Sequence, residues 1–239
     1  MRLASEMISD TGKVRSINED SIYRNESHSI WAVADGMGGH HRGDIASRAV
    51  IESLAKYQPT RHSGVTLTHL ELLLKTANDQ LLNLAAQENS GLIASTCTAI
   101  TTYKDTLVCT WVGDSRVYRY RDTRLDQLTR DHSYHSIVED LHNNGKTLDD
   151  YTTDLDTLTR GIGAEPNLEI EHCQYNLRPG DRLLLCTDGL YKELSDSELH
   201  SHYNNHQDDA SLLSTLHNTY LERGARDNLG LILLTAYAE

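Results

Sequence analysis

Runs of apolar residues change period several times along the chain. A short opening strand precedes the polar loop DTGKVRSINED, after which SIYR and SIWAVA read as paired strands with NESH turning between them. The second of these runs into Asp35, which places that aspartate at a strand's C-terminal end. From Asp44, read as an N-cap, Ala46, Ala49, Val50, Leu54 and Tyr57 follow the i, i+3, i+4 spacing of an amphipathic helix. Thr68 and Glu71 form a capping-box pattern that opens a second helix. Its buried face is Leu70, Leu73, Leu74, Ala77, Leu81, Leu84 and Ala85.

The texture then shortens. TCTAITTY, TLVCTWVG, RVYRYR and RLDQLT are rich in Thr, Val and Tyr and are divided by Lys104-Asp105, Gly113-Asp114-Ser115 and Asp122-Thr123, a pattern that predicts an antiparallel meander. Ser133 to Leu141 reads as a short helix closed by Asn144-Gly145, and the acidic, weakly patterned Lys146 to Asp156 as a mobile flap. LEIEHCQY and RLLLCT are strands around the turn Arg178-Pro179-Gly180-Asp181. Ala210, Leu213, Leu216 and Tyr220 mark a last helix stopping near Gly224, and LGLILLTAY is a closing strand. Strands, two helices, more strands, then helix and strand is not regular βα alternation. It predicts an α+β fold of antiparallel sheets covered by helices.

The 239 residues suffice for one sizeable core, and no repeat, low-complexity segment or linker divides them, so one domain over 1–239 is expected. Asp and Glu number 35 against 22 Lys and Arg, and the net charge of −13 repels polyanions and anionic headgroups. Nucleic acid and membrane are therefore poor partners. The surplus fits either solvated surface charge or carboxylates gathered around cations. The N-terminus has no apolar h-region and no stretch approaches ~18 uninterrupted apolar residues, so a soluble, unexported, cytoplasmic chain is expected. Cys97, Cys109, Cys173 and Cys186 form no CxxC pair and read as reduced core thiols.

Four aspartates share one kind of position. Asp35 follows WAVA, Asp114 follows TWVG, Asp188 follows LLLCT, and Asp227 precedes LGLILL. In an antiparallel sheet a strand's end lies beside its neighbour's beginning, so Asp188 and Asp227 converge at one rim, where Asp35 and Asp114 can join them. Taken singly, each reads equally as a turn former. Taken together, crowded carboxylates repel unless cations neutralise them, and an oxygen-only donor set suits Mg²⁺ or Mn²⁺ rather than zinc. Two such ions can activate water for phosphoryl displacement. DGMGGHHRGD matches neither the Walker A pattern nor the dinucleotide fingerprint. Arg15, close before Glu19 and Asp20 in RSINED, is either a surface arginine or a clamp for a phosphate dianion.

In order, TGKVRSINED, AVADGMGGH, STCTAITTY, VGDSRVYRYR, LTRDHS, LTRGIG, LRPGDRLLLCTDGLY and RDNLGLILL make the chain resemble the metal-dependent serine/threonine protein phosphatases of type 2C, especially their compact bacterial members. The resemblance covers nearly the whole chain. It implies a four-layer α-β-β-α sandwich with a binuclear Mn²⁺/Mg²⁺ centre at one rim and a flap subdomain over about 132–165. By matching motif, Asp35 would bridge both ions, Gly36 would offer its carbonyl to one, and Asp188 and Asp227 would hold the other. Glu19 and Asp20 would act mainly through metal-bound waters, and Asp114 with Asp188 would support a third, looser ion. Arg15 matches the phosphate-binding arginine, so Arg15 and Asp35 are the expected catalytic residues. The implied reaction is in-line attack of metal-activated water on a phosphoserine or phosphothreonine protein, by a monomer opposing a serine/threonine kinase. WAVADGMGGHHRGDIASR and TDGLYKEL are also similar to phosphatases that accompany bacterial type VI secretion kinases.

Two departures bear on mechanism. Met37 stands where animal members carry a histidine proposed to protonate the leaving alkoxide, and a metal-bound water is expected instead. His40 and His41 read as solvated or loop-packing, and His200, His202 and His206 as solvent-exposed. LDDYTTDLDTLTRGIG lacks the His-Pro stretch usual in bacterial relatives, which leaves flap conformation and substrate choice open. A pseudophosphatase that binds a phosphoprotein without turnover is the alternative of a different class. A haloacid-dehalogenase-like enzyme would need DxDx[TV], and ADGMG lacks the second aspartate.

Overall fold

Three apolar layers explain why strands such as LGLILL and RLLLC show no polar alternation. The computed structural model describes residues 1–38, 42–59, 63–89, 91–145 and 154–238. One sheet has the order β1 (Arg2–Asp10), β11 (Leu229–Tyr237), β10 (Arg182–Cys186), β7 (Arg116–Arg121), β8 (Arg124–Gln127). The other runs β2 (Asp20–Asn25), β3 (Ile30–Gly38), β5 (Cys97–Tyr103), β6 (Thr106–Val112), β9 (Glu171–Asn176), with β4 (Ile93–Ser95) paired to the end of β3. The pairings are antiparallel. Helices α1 (Gly43–Leu54) and α2 (Ser63–Glu88) cover the second sheet, and α4 (Asp188–Tyr191), α5 (Asp196–Asn205) and α6 (Asp209–Glu222) the first. α3 (Tyr134–Asn143) lies between β8 and β9 in sequence.

Each central strand feeds two layers through its two faces. Ile30, Ala32 and Ala34 of β3 pack with Val50, Leu54, Leu70 and Leu74 of α1 and α2. Trp31 and Val33 turn the other way, against Leu183, Leu185 and Ile232 of the opposite sheet. Leu184, Leu231 and Leu233 then meet Leu199, Leu212 and Leu216 under α5 and α6. A fully buried leucine contributes about 1.5–3 kcal/mol, so both faces of these strands hold the layers together. The result is the expected four-layer α-β-β-α order.

Local signals misplace several boundaries. α1 starts at Gly43 with Arg42 as its N-cap, and Asp44 lies in its first turn, paired to Arg48. The capping acceptor comes from far away in sequence: Glu19 Oε1 accepts from Gly43 N at 3.0 Å. α2 begins at Ser63, so Thr68 and Glu71 lie inside it. No proline interrupts the chain there, and Thr66 is buried, so tertiary packing overrides the capping pattern. NESH is a 3₁₀ turn over Glu26–His28. The meander is split, because Gly113-Asp114-Ser115 carries the chain from β6 in one sheet to β7 in the other. The turn at 178–181 crosses the sheets likewise, from β9 to β10. α3 runs to Asn143, with the Ser133 hydroxyl accepting from Ser136 N. Of the expected flap, 146–153 lie outside the described residues. Cys97, Cys109 and Cys186 are buried, Cys173 half-buried, and all four are free thiols.

Candidate active site

Strand pairing brings the acidic residues to one rim. Asp20 of β2 lies directly opposite Asp35 of β3. Asp35 is not at its strand's end, as expected, but inside it: β3 continues to Gly38 by exchanging its partner β5 for β4. On the facing sheet Cys186 pairs with Leu231, which sets Asp188, the first residue of α4, near Asp227 before β11. Arg15, Glu19, Asp35, Gly36, Asp114, Asp188 and Asp227 line a cavity of about 320 Å³. Asp20 does not line it; it is buried and accepts from Thr187 Oγ1 at 2.7 Å.

Backbone and neutral side chains fix these groups. Asp35 N donates to Thr96 Oγ1 at 2.9 Å, and its carbonyl accepts from Thr96 N at 2.8 Å and Ser95 Oγ at 2.9 Å. A Cβ on Gly36 would stand 1.8 Å from the Gly43 carbonyl oxygen, so only glycine allows β3 to pass so close to α1. Asn228, buried and given no role by the sequence reading, ties the Arg15 loop to β11. Its Oδ1 accepts from Glu19 N at 2.8 Å, and its Nδ2 donates to Thr11 O at 2.8 Å and Ile17 O at 3.0 Å. The only sequence signal for it is the RDN preceding an apolar strand. Lys192, in TDGLYKEL, is a second cavity residue without an expected role.

Three of the crowded carboxyls are pushed toward their protonated forms. Desolvation, reinforced by Asp20, Asp188, Asp114 and Asp227, pushes Asp35 well above the ordinary carboxylate range. Burial, with Asp188 and Asp227, pushes Asp20 up to about 8 against the Thr187 hydrogen bond. Burial and Asp188 push Asp114 up to about 7, against a hydrogen bond from Tyr191. Two cations of the chain answer part of this charge. Arg15 clamps Asp227 through Nε to Oδ1 at 2.9 Å and Nη2 to Oδ2 at 3.1 Å, and Lys192 Nζ donates to Asp188 Oδ2 at 2.6 Å. Among the described residues no three His, Cys, Asp or Glu side chains are already closed around one point; Asp227 and Asp188 are drawn to Arg15 and Lys192 instead. The donor set nonetheless fits hard divalent ions: it is all oxygen, it surrounds one cavity, and its raised carboxyl pKa values are what nearby cations reverse.

Met37 lines the same cavity on β3 and has no proton to give, while His40 and His41 lie outside the described residues. His200, His202 and His206 are half-buried rather than solvent-exposed. His200 Nε2 bonds Thr123 O at 2.8 Å, and His206 bonds His202 O at 2.9 Å and Thr215 Oγ1 at 3.0 Å, so His200 and His206 hold α5 against its neighbours, away from the cavity. A second hollow of about 350 Å³ adjoins the first, sharing Met37 and Leu158, and is lined further by Arg160, Glu165 and Glu169.

The family model for protein phosphatase 2C matches residues 13–233. The serine/threonine protein phosphatase PstP of Mycobacterium tuberculosis is 34% identical over 199 residues, covering 80% of this chain but 37% of that protein. The chain thus spans little more than a third of that relative. The structure of PppA, a key regulatory component of the type VI secretion system in Pseudomonas aeruginosa, superimposes with a TM-score of 0.90 at 31% identity, covering 99% of each chain. The catalytic domain of PstP in complex with two manganese ions gives a TM-score of 0.85 at 29% identity, again covering 99% of each chain. With the ordered motifs, the sandwich and the acidic rim in agreement, the chain belongs to the protein phosphatase 2C family.

Proposed function

We propose that the chain is a Mn²⁺- or Mg²⁺-dependent protein phosphatase that hydrolyses phosphoserine and phosphothreonine. The observation that carries this reading is the single cavity that gathers Glu19, Asp35, Asp114, Asp188 and Asp227 beside the Arg15 guanidinium. Asp35, the Gly36 carbonyl, Asp188 and Asp227 would hold two ions, with Glu19 and Asp20 reaching them through water. Bound there, the ions would neutralise the carboxylates, activate water as the nucleophile and stabilise charge on the phosphoryl oxygens.

The chain's own residues supply the rest. Arg15 offers two N–H donors in one plane, already spaced to hold both oxygens of Asp227, and the same fork takes two oxygens of a phosphate dianion. Thr96, Ser95 and the Asp20 pairing hold Asp35 in one orientation. Asn228 sets the height of the loop that carries Arg15 and Glu19. The adjoining hollow, lined by Leu158, Thr159 and Arg160, gives room for residues flanking the phosphorylated one.

In the cell, the enzyme acts as a cytoplasmic monomer and opposes a bacterial serine/threonine kinase. The likeness to PppA supports a place in the control of type VI secretion. Among the described residues no helix is long and apolar enough to cross a membrane. Phosphate release from phosphoserine and phosphothreonine peptides, measured with Mn²⁺ and with EDTA, tests the activity; full turnover in EDTA contradicts it. A phosphoproteome comparison between a deletion strain and one complemented with Asp35→Asn tests the pathway. Sites that rise in both are substrates of the chemistry, and the absence of secretion components among them removes the type VI assignment.

A further inference from the structure

Asp114 and Asp188 are the pair expected to support a third, looser ion, and consecutive residues at the end of α4 already engage both. Tyr191 Oη donates to Asp114 Oδ2 at 2.9 Å, and Lys192 Nζ donates to Asp188 Oδ2 at 2.6 Å. The same ammonium stands 3.8 Å from Asp156 Oδ2. Neither side chain is there by chance of rotamer. The Arg116 guanidinium lies 3.6 Å from the centroid of the Tyr191 ring and is itself held by Asp131 in bonds of 2.7–3.1 Å. Lys192 N donates to Asp188 O at 2.9 Å, so one helical turn carries the carboxylate and, four residues on, the cation, the favourable order for such a pair.

We infer that the Lys192 ammonium, with the Tyr191 hydroxyl, fills the position among Asp114, Asp188 and Asp156 that a third divalent ion would need, so that the chain loads two ions and not three. A covalently tethered ammonium is present at any metal concentration. A weakly held divalent ion would have to break a charge-assisted hydrogen bond to Asp188 and then sit beside the displaced charge. Lys192 uses only Oδ2 of Asp188, which leaves the other carboxylate oxygen for the binuclear pair. The contact to Asp156 gives the lysine a second task, since it joins the turn Asp154–Thr157 to the rim without an ion between them. Its side chain is 41% exposed and that of Asp156 67%, so this tether is weak and releasable.

The inference rests on the two-ion reading above, and counting bound metal separates the two. The chain, Lys192→Met and Lys192→Arg are dialysed against graded Mn²⁺ and the metal bound per chain is measured by plasma mass spectrometry, with circular dichroism as the check on folding. The expected result is saturation at two ions for the chain and for Lys192→Arg. Lys192→Met, which no longer occupies Asp188, takes up a third ion about tenfold or more tightly than the unaltered chain. Three ions on the unaltered chain, three on Lys192→Arg, or two on Lys192→Met would each overturn the inference while leaving the binuclear reading in place. No bound Mn²⁺ on the unaltered chain would overturn both.

Discussion

Asp20 and Asp35 stand directly opposite each other on adjacent antiparallel strands, two carboxylates in the one cross-strand arrangement where like charges are most costly. The pair persists because a proton or a cation stands between the charges. Without metal, protonation does so: burial and the neighbouring carboxylates push Asp20 up to about 8 and Asp114 up to about 7, and raise Asp35 with them. Between about pH 4 and pH 8 the folded chain therefore binds more protons than the unfolded one. Its stability is fully present below the ordinary carboxylate pKa and is lost as pH rises through the folded values. In EDTA the melting temperature is expected to fall by at least about 3 °C between pH 6 and pH 8.5. Saturating Mn²⁺ should abolish that fall, and an unchanged profile in EDTA would contradict the reading of the rim.

Asp35→Asn separates stability from activity. The amide keeps the shape and removes one of the repelling charges, so the metal-free variant is expected to melt above the unaltered chain at pH 8. Its Mn²⁺-dependent turnover of p-nitrophenyl phosphate should drop about 100-fold or more, since no carboxylate remains to hold the ions in register. Thermal melts and initial rates on one preparation check both halves.

Arg15 is expected to act on the phosphate and not on the metals. Arg15→Lys retains charge but loses the planar fork, and KM for a phosphopeptide should rise roughly tenfold with a smaller change in kcat. Mn²⁺ bound per chain should stay the same or rise, because Asp227 is released from its clamp. A loss of metal in this variant would move Arg15 from substrate binding to site assembly.

Asn228→Ala removes three part-buried hydrogen bonds and leaves the carbonyls of Thr11 and Ile17 without their side-chain donor. A loss of about 1–3 kcal/mol in unfolding free energy is expected by denaturant titration. Turnover should fall as well, because the loop bearing Arg15 and Glu19 is no longer tied to β11.

The strands were legible because their apolar runs are long and rich in Val, Leu and Thr, and the acidic rim was legible because Asp35, Asp188 and Asp227 each abut such a run. Sheet membership was not. Gly113-Asp114-Ser115 has the composition of a hairpin turn, yet Gly113 takes φ +101° with Thr96 packed against it, and the chain leaves for the other sheet. That choice depends on β9 and β10 arriving some sixty residues later. The start of α1 is hidden from the sequence for the same reason: the group that satisfies Gly43 N is Glu19, not a neighbour in sequence. Asn228 lies 209 residues from the Glu19 amide it accepts from, and Lys192 only looks like a surface lysine until α4 turns it back on Asp188.

The measurement closest to the central claim is phosphate release from a phosphothreonine peptide by the unaltered chain and by Asp35→Asn, titrated with Mn²⁺ from EDTA-treated protein. Turnover that is absent without metal, saturates with Mn²⁺ in the unaltered chain and fails to recover in Asp35→Asn at any Mn²⁺ concentration is the predicted result. Turnover in EDTA, or an Asp35→Asn chain as active as the unaltered one, would contradict it.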